Sequence, residues 1–255
     1  MRDEFPSLAG QILMRVIDSP QDLTSNDLLA ALPPDVLLRW APQLEWVDMP
    51  LGQVLYLSGE VPGHAFLPTT AIVSLLFVSA NGSTSEVAIV GREGLVGVSI
   101  FMGGGSTPNR AVVQCAGQGL RLSAERMKQE FDHDSAVMHL MLRYTQALIT
   151  QMAQTAVCNR HHRLDQQLCR WLLLNLDRLD GSDLVMTQDL ISANLGVRRE
   201  GVTEAAIRLQ ESGVIRYARG HIKVLDRPAL EARTCECYAV VKREYDRLLS
   251  RRDAR

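Results

Sequence analysis

A run of 56 residues, from Ser123 to Arg178, contains neither proline nor glycine. Because proline lacks a backbone N–H and glycine disfavours helical backbone, their joint absence indicates long helices. Ser123 is the expected N-cap of a first short helix, and Asp132 or Asp134 marks the start of a much longer one. About 25 residues at about 1.5 Å each make a rod of roughly 40 Å.

The long helix is apolar on more than one side, so it needs a packing partner. The pattern predicts that it packs against its twin in a homodimer. An internal core helix is the alternative. The residues predicted at the dimer seam recur at spacings of three and four: Met141, Tyr144, Leu148, Met152 and Thr155.

Short apolar runs broken by Gly, Pro, Asn and Ser precede the helical run, between about Asp48 and Leu122. Examples are QVLYLSGE, AIVSLLFVSANGS and RAVVQCAG. The Asn81-Gly82 pair is a hairpin signal. Regularly spaced short strands with such turns predict a compact antiparallel barrel or jelly roll.

Charge divides the chain. Residues 1–159 carry 9 Lys and Arg against 15 Asp and Glu, and residues 160–255 carry 18 against 14. The basic C-terminal part suggests a different partner from the acidic front. The overall composition, 46% hydrophobic and 22% charged, is that of a soluble globular protein. Without a signal-peptide pattern or a membrane-length apolar run, a cytoplasmic location and no membrane partner are expected.

Two short helices are predicted around one glycine in the basic part. Thr187 caps the first, which runs to Leu195, and Gly196 ends it. The second runs from about Arg198 to Glu211. This order is the spacing of a helix-turn-helix, and apolar residues at helical spacing predict the inner face of the second helix.

The opposite face of the second helix carries side chains that suit base edges. In a major groove, Arg pairs with guanine and Glu accepts from cytosine. The following GVIRYARGHIKVLD predicts a hairpin with basic residues that could contact phosphates. A solvated, salt-bridged helix surface is the alternative. The predicted DNA-binding residues are Thr187, Arg198, Arg199, Glu200, Thr203, Glu204, Arg208, Arg219 and His221.

From about Trp46 to Leu225 the chain resembles the Crp/Fnr transcription regulators. The stretches GREGLVGVSIF and TQDLISANLGVRREGVTEAAIRLQESGVI carry the resemblance, together with the hairpin after them. It implies an α+β fold: an N-terminal antiparallel β jelly roll of the cyclic-nucleotide-binding-like type, a long dimerisation helix and a C-terminal winged helix-turn-helix. The corresponding domains are residues 1–122, 123–162 and 163–255.

The resemblance also implies a function: a homodimer that binds operator DNA, with RNA polymerase as a further partner and no enzymatic activity. Arg199 and Glu200 match the family's Arg-Glu pair that reads base edges. At position 204, where the catabolite activator has arginine, this chain has glutamate, which implies a different operator sequence.

The effector remains open at this stage. Cyclic-nucleotide-binding members have a Gly-Glu pair where this chain has Gly97-Val98, and no Asp or Glu occurs between Glu93 and Glu125. Arg110 matches the family's phosphate-binding arginine, but Ala111 replaces the following serine. Cyclic AMP binding in the family manner is therefore not expected. Arg110 and the amides of residues 103–107 could hold another anion, or Arg110 could be an ordinary surface residue.

No metal, cofactor or catalytic motif is predicted. Cys115 lies in an apolar strand, and Cys158, His161 and His162 lack an evident fourth ligand. Cys235-x-Cys237 is a separate pair on a C-terminal helix, and a metal or a disulfide there is the alternative. Two rival functions stay open: a cyclic-nucleotide- or small-anion-responsive module whose output is protein contact, and a DNA binder that needs no effector.

Overall fold

The computed structural model describes residues 23–80 and 82–249. Two short helices, α1 (Asp27–Ala30) and α2 (Pro34–Trp40), precede two antiparallel sheets of strand order β1-β7-β3 and β2-β6-β4-β5. The seven strands are β1 (Glu45–Met49), β2 (Val54–Tyr56), β3 (His64–Pro68), β4 (Ile72–Val78), β5 (Thr84–Val90), β6 (Arg110–Cys115) and β7 (Gly117–Ser123).

The β4–β5 hairpin forms at the position that the sequence predicted. The two strands pair from Val73 with Val90 to Val78 with Thr84. Gly82 in the turn has a φ of +83°, a conformation that glycine adopts without a Cβ penalty. The other half of the predicted turn signal, Asn81, lies outside the described residues.

Both predicted helix caps in the central region are present. Ser123 Oγ accepts from the Arg126 backbone N–H over 3.3 Å at the start of α3 (Ala124–His133). Of the two acids considered for the longer helix, Asp134 is the N-cap, and its carboxylate accepts from Ala136 N over 2.9 Å. This helix, α4 (Ser135–His161), has 27 residues.

The prediction that Met141, Tyr144 and Leu148 lie at the dimer seam was wrong, because these side chains are buried within their own chain. The Tyr144 hydroxyl donates to the Leu95 carbonyl over 2.8 Å, and its ring lies so close to Gly94 that a Cβ there would clash. These three side chains cannot reach a second chain. Helical periodicity identifies a buried face but not the body that covers it, here the chain's own β domain.

Met152 and Thr155 are only half-buried, and the Thr155 hydroxyl accepts from Arg170 over 2.8 Å. The large apolar side chains that α4 leaves exposed lie on another face. They are Leu142, Ile149 and Val157, exposed by 44%, 57% and 42%.

Up to residue 249, the C-terminal part is built from five helices and a three-stranded sheet of order β8-β10-β9. Its last helix folds back along α4, where Gln151 donates to the Tyr245 hydroxyl over 2.9 Å. The elements are α5 (Leu164–Leu176), β8 (Asp183–Val185), α6 (Gln188–Leu195), α7 (Arg199–Glu211), β9 (Ile215–Ala218), β10 (His221–Val224), α8 (Arg227–Arg233) and α9 (Glu236–Leu249).

Buried polar contacts join this part to the β domain. Gln114 on β6 donates to Asn175 over 2.6 Å, and Asn194 on α6 donates to Gln114 over 2.8 Å. All three side chains are buried, so breaking a bond would leave a desolvated amide unpaired. Among the described helices, none is both long and apolar enough to cross a bilayer.

Candidate nucleic-acid interface

The turn between α6 and α7 has the predicted construction. Thr187 Oγ1 caps α6 by accepting from Leu190 N over 3.2 Å. Gly196 ends α6 with a φ of +66°, the left-handed conformation of a helix C-terminus. After this turn, Arg198 occupies the N-cap of α7, and the helix begins at Arg199, one residue later than predicted.

The inner face of α7 fixes its orientation in the domain. Val202, Ala205 and Leu209 are buried, as the helical spacing predicted. The Thr203 hydroxyl lies 2.9 Å from Gln188 Oε1 at the start of α6, within hydrogen-bonding distance. Of the predicted base-reading residues, Thr203 is therefore held against α6 and is half-buried.

The first turn of α7 presents Arg198, Arg199 and Glu200 to solvent. Arg199 lies 3.4 Å from the Asp189 carboxylate, and both side chains are more than half exposed. A surface ion pair of this kind contributes about 0–1 kcal/mol, so it does not prevent the guanidinium from turning to a ligand. Glu204, one turn later, is also exposed.

Arg208 has a different environment from the other predicted residues. Its guanidinium donates to Asp165 on α5 over 2.6 Å, and this hydrogen bond raises the pKa of Arg208 above its usual value. It is thereby directed toward the body of the domain. Ile207 was not predicted, yet it is 49% exposed on α7. The predicted DNA-binding residues are all polar or charged, although an apolar side chain can contact a thymine methyl group.

The hairpin predicted after α7 is formed by β9 and β10, with Ala218 paired to His221. This hairpin, residues 215–224, is called the wing. Its two-residue loop has positive φ at both positions, +51° at Arg219 and +80° at Gly220, as a type I′ turn requires. Among the described residues, Arg219 is the only non-glycine with positive φ. This conformation costs an L-residue about 1–2 kcal/mol.

The wing carries an exposed row of potential phosphate contacts. Arg216, Arg219, His221 and Lys223 are all exposed, and Lys223 lies 3.8 Å from Asp183 on β8. The structure thus places Arg219 and His221 on the hairpin that follows α7, as predicted. Thr187 lies beside the tip of this hairpin, because the preceding residue, Met186, donates its backbone N–H to the Gly220 carbonyl over 2.7 Å.

Comparison with known proteins agrees with this geometry. Residues 166–233 match the family model for a Crp-like helix-turn-helix domain. The fold matches that of FixK2 from Bradyrhizobium japonicum, with a TM-score of 0.64 and 15% identity over 75% of this chain and 98% of that one. The chain has the Crp/Fnr fold and a Crp-like helix-turn-helix domain. The resemblance inferred from the sequence is confirmed at this level.

Two other solved structures support the Crp/Fnr fold. A CRP-family transcriptional regulator from Thermus thermophilus has a TM-score of 0.61 and 17% identity over 73% of this chain and 95% of its own. A CRP/FNR-family regulator from the same organism has a TM-score of 0.59 and 22% identity over 74% of this chain and 97% of its own. A comparison with curated protein sequences gave no match. Crp/Fnr regulators bind DNA and are not enzymes, which agrees with the absence of a catalytic motif from the sequence.

The candidate effector residues of this Crp/Fnr fold lie on two separate elements. Gly97, with φ of +112°, is the N-cap of a 3-10 helix that Val98 begins, whereas Arg110 and Ala111 begin β6. Ala111 is fully buried. Arg110 Nε is buried without a hydrogen-bond partner among the described residues. The four residues remain predicted effector contacts.

The structure joins two groups that the sequence analysis kept apart. The thiols of Cys158, Cys235 and Cys237 and the imidazole of His162 place their ligand atoms within 4.8 Å of one another. His161 is not part of this group and is exposed. Cys115, in the apolar strand β6, is partly buried, and desolvation raises its pKa to about 12.

Proposed function

We propose that the chain is a sequence-specific transcription regulator that binds operator DNA as a homodimer, with α7 in the major groove. The observation that carries this proposal is the exposed first turn of α7, with Arg199 and Glu200, inside a Crp-like domain. The predicted division into a sensor (1–122), a connecting and dimerisation helix (123–162) and a DNA-binding domain (163–255) is part of the proposal.

Each exposed side chain has a role that its chemistry suits. Arg199 pairs with guanine O6 and N7, and Glu200 accepts from cytosine N4. Arg219 and His221 on the wing contact phosphates and set the register. The hydroxyl of Thr187 and the N-terminus of α6 form a further phosphate contact. Glu204 and Arg208 sit farther along α7, and Arg208 reaches DNA only if its bond to Asp165 opens.

The exposed face of α4 is the proposed dimer seam. Leu142 and Ile149 are seven residues apart, and Ala156 continues the heptad, with Val157 beside it. A heptad repeat of apolar residues packs against its copy in a parallel pair of helices. Two copies related by a twofold axis present two α7 helices to half-sites about 34 Å apart. RNA polymerase is the proposed protein partner of the DNA-bound dimer.

Cyclic AMP is not the proposed effector. The stretch from residue 94 to 124 offers no carboxylate for the ribose hydroxyl, and Ala111 has no hydroxyl for the phosphate. An unpaired buried hydroxyl costs about 1–3 kcal/mol, which is about a ten- to hundredfold loss in affinity. Calorimetric titration with cyclic AMP and cyclic GMP tests this statement, and binding at micromolar concentration would contradict it. Arg110 remains the proposed contact for a different anion.

Selection of bound sequences from a random duplex pool tests the main proposal. The purified wild-type protein should enrich an inverted repeat with half-site centres about 10–11 base pairs apart. A monomer that enriches no sequence at low ionic strength would contradict both the dimer and the base-reading assignment. Titration with duplex DNA alongside the nucleotide titrations separates a DNA-binding output from an output of protein contact alone.

A further inference from the structure

Four side chains with metal-binding chemistry meet where α4 ends and α9 begins. Cys158 lies in the last turn of α4, and His162 is its C-cap residue. Cys235 precedes α9, and Cys237 lies in its first turn. The Cys158 and Cys235 sulfurs are 3.5 Å apart, and Cys237 Sγ is 3.6 Å from His162 Nδ1.

We propose that Cys158, His162, Cys235 and Cys237 form a tetrahedral site for one zinc ion. Zinc binds sulfur at about 2.3 Å and imidazole nitrogen at about 2.0–2.1 Å. Tetrahedral angles then place two sulfur ligands about 3.8 Å apart, and a sulfur and a nitrogen about 3.6 Å apart. The two separations in the structure lie close to these values. All four ligand atoms lie within 4.8 Å of one another, which suits a single ion.

The environment of His162 supports a ligand role. Its Nε2 lies 3.3 Å from the Glu236 carboxylate, on the side of the ring away from Cys237. A carboxylate at this position holds the ring proton on Nε2 and leaves the Nδ1 lone pair directed at the thiols. Zinc-binding histidines are commonly oriented in this way by a carboxylate.

A buried cation balances the charge of the site. Three thiolates and Zn²⁺ carry a net charge of −1, and the three thiol protons pass to solvent when the ion binds. Arg170 on α5 is buried and lies close enough to attract the Cys158 and Cys237 thiolates. Its Nε has no hydrogen-bond partner among the described residues, so this guanidinium is only partly satisfied by its bond to Thr155.

The site would hold the joint between the long helix and the Crp-like domain. His162 separates α4 from α5, and Gln167 on α5 donates to the His162 carbonyl over 2.9 Å. A zinc ion would tie this joint to α9, which packs along α4. This assignment does not depend on the proposed DNA binding, because none of the four ligands is among the predicted DNA contacts.

Metal content and cobalt spectroscopy of the full-length protein test the assignment. Purified under reducing conditions and reconstituted with Zn²⁺, the wild type should bind one ion per chain. Exchange for Co²⁺ should give the visible bands of a tetrahedral complex and a thiolate charge-transfer band. Zinc K-edge absorption should fit three sulfurs and one nitrogen. Cys158→Ser and Cys237→Ser should each remove these signals, whereas the matched control Cys115→Ser, in β6, should retain them.

Several outcomes would overturn the site. They are a wild type that takes up no zinc or cobalt, a coordination shell without sulfur, metal loss in Cys115→Ser with retention in Cys158→Ser, or a Cys158–Cys235 disulfide as the stable form under the same conditions. If a serine variant fails to fold by circular dichroism, the wild-type spectra and the coordination shell still decide. A wild-type protein that shows the cobalt bands but does not bind duplex DNA would contradict the proposed function and leave the zinc site standing.

Discussion

The Trp171 indole donates a hydrogen bond to Glu86 Oε1 over 2.8 Å, and this bond joins the Crp-like domain to strand β5 of the β domain. The Ser74 hydroxyl on β4 donates to the other oxygen of the same carboxyl. Glu86 is buried, and burial raises its pKa to about 7 despite these two donors and the nearby Arg170 and Arg178. A group that gains a proton near neutral pH thus lies between the two domains.

Glu86 predicts a defined pH dependence of stability. Its pKa in the folded protein is above the value of the unfolded chain, so the folded state binds the proton more tightly. The resulting stability is present below about pH 4.5 and is lost as the pH rises through about 7. The loss is about 3 kcal/mol at most. In urea unfolding, Glu86→Gln should gain stability relative to wild type between pH 5 and pH 8. The control Glu125→Gln, at an exposed carboxylate, should show the same dependence of stability on pH as the wild type. If Glu86→Gln also showed the wild-type dependence, Glu86 would not be the titrating group.

The strained turn of the wing predicts opposite effects on stability and DNA binding. Arg219→Asn replaces an arginine in left-handed backbone with a residue that tolerates it, so the free energy of unfolding should rise by about 0.5–1 kcal/mol. The same variant should bind all duplexes more weakly and lower the slope of log K against log salt by about 1 for each lost phosphate contact. Arg233→Ala, on α8, serves as the control for charge. An unchanged salt slope would exclude Arg219 from the interface.

Base reading by Arg199 predicts a change in sequence preference rather than in general affinity. Arg199→Ala should lower affinity for the selected operator by about 1–3 kcal/mol and relax preference at one position of each half-site. The exposed ion pair with Asp189 is too weak for its loss to change folding measurably. Repeating the selection with the variant measures both effects. Retention of the wild-type sequence and affinity would show that Arg199 does not contact a base.

The α4 seam predicts which substitution separates the dimer. Ile149→Glu places a charge on an exposed apolar helix face, so light scattering should report a monomer and operator affinity should fall. Leu38→Glu on α2 is the matched control, because Leu38 is even more exposed but does not belong to α4. A dimeric Ile149→Glu protein, with Leu142→Glu also dimeric, would place the dimer contact elsewhere.

Local signals in the sequence were enough to predict the helix-turn-helix. Thr187 and Gly196 act on backbone groups a few residues away, so their roles follow from residue type and spacing. The face of α4 was different, because Tyr144 is buried by Gly94 and Leu95, about 50 residues earlier in the chain. The two halves of the proposed zinc site were recognised as separate groups for the same reason, since Cys158 and Cys235 are 77 residues apart. Helical periodicity shows that a face is buried, but it does not show which distant part of the chain contacts that face.

Strand β6 begins at Arg110, a candidate anion contact, and a few residues later Gln114 is bound to both Asn175 and Asn194. A β-strand is stiff along its axis, and these buried amides are costly to unpair. A displacement of β6 at Arg110 would therefore also displace Gln114 and its two partners. Asn194 belongs to the helix that positions α7. Under the proposed function, anion binding at Arg110 would therefore move β6 and, through Gln114 and Asn194, change the orientation of α7.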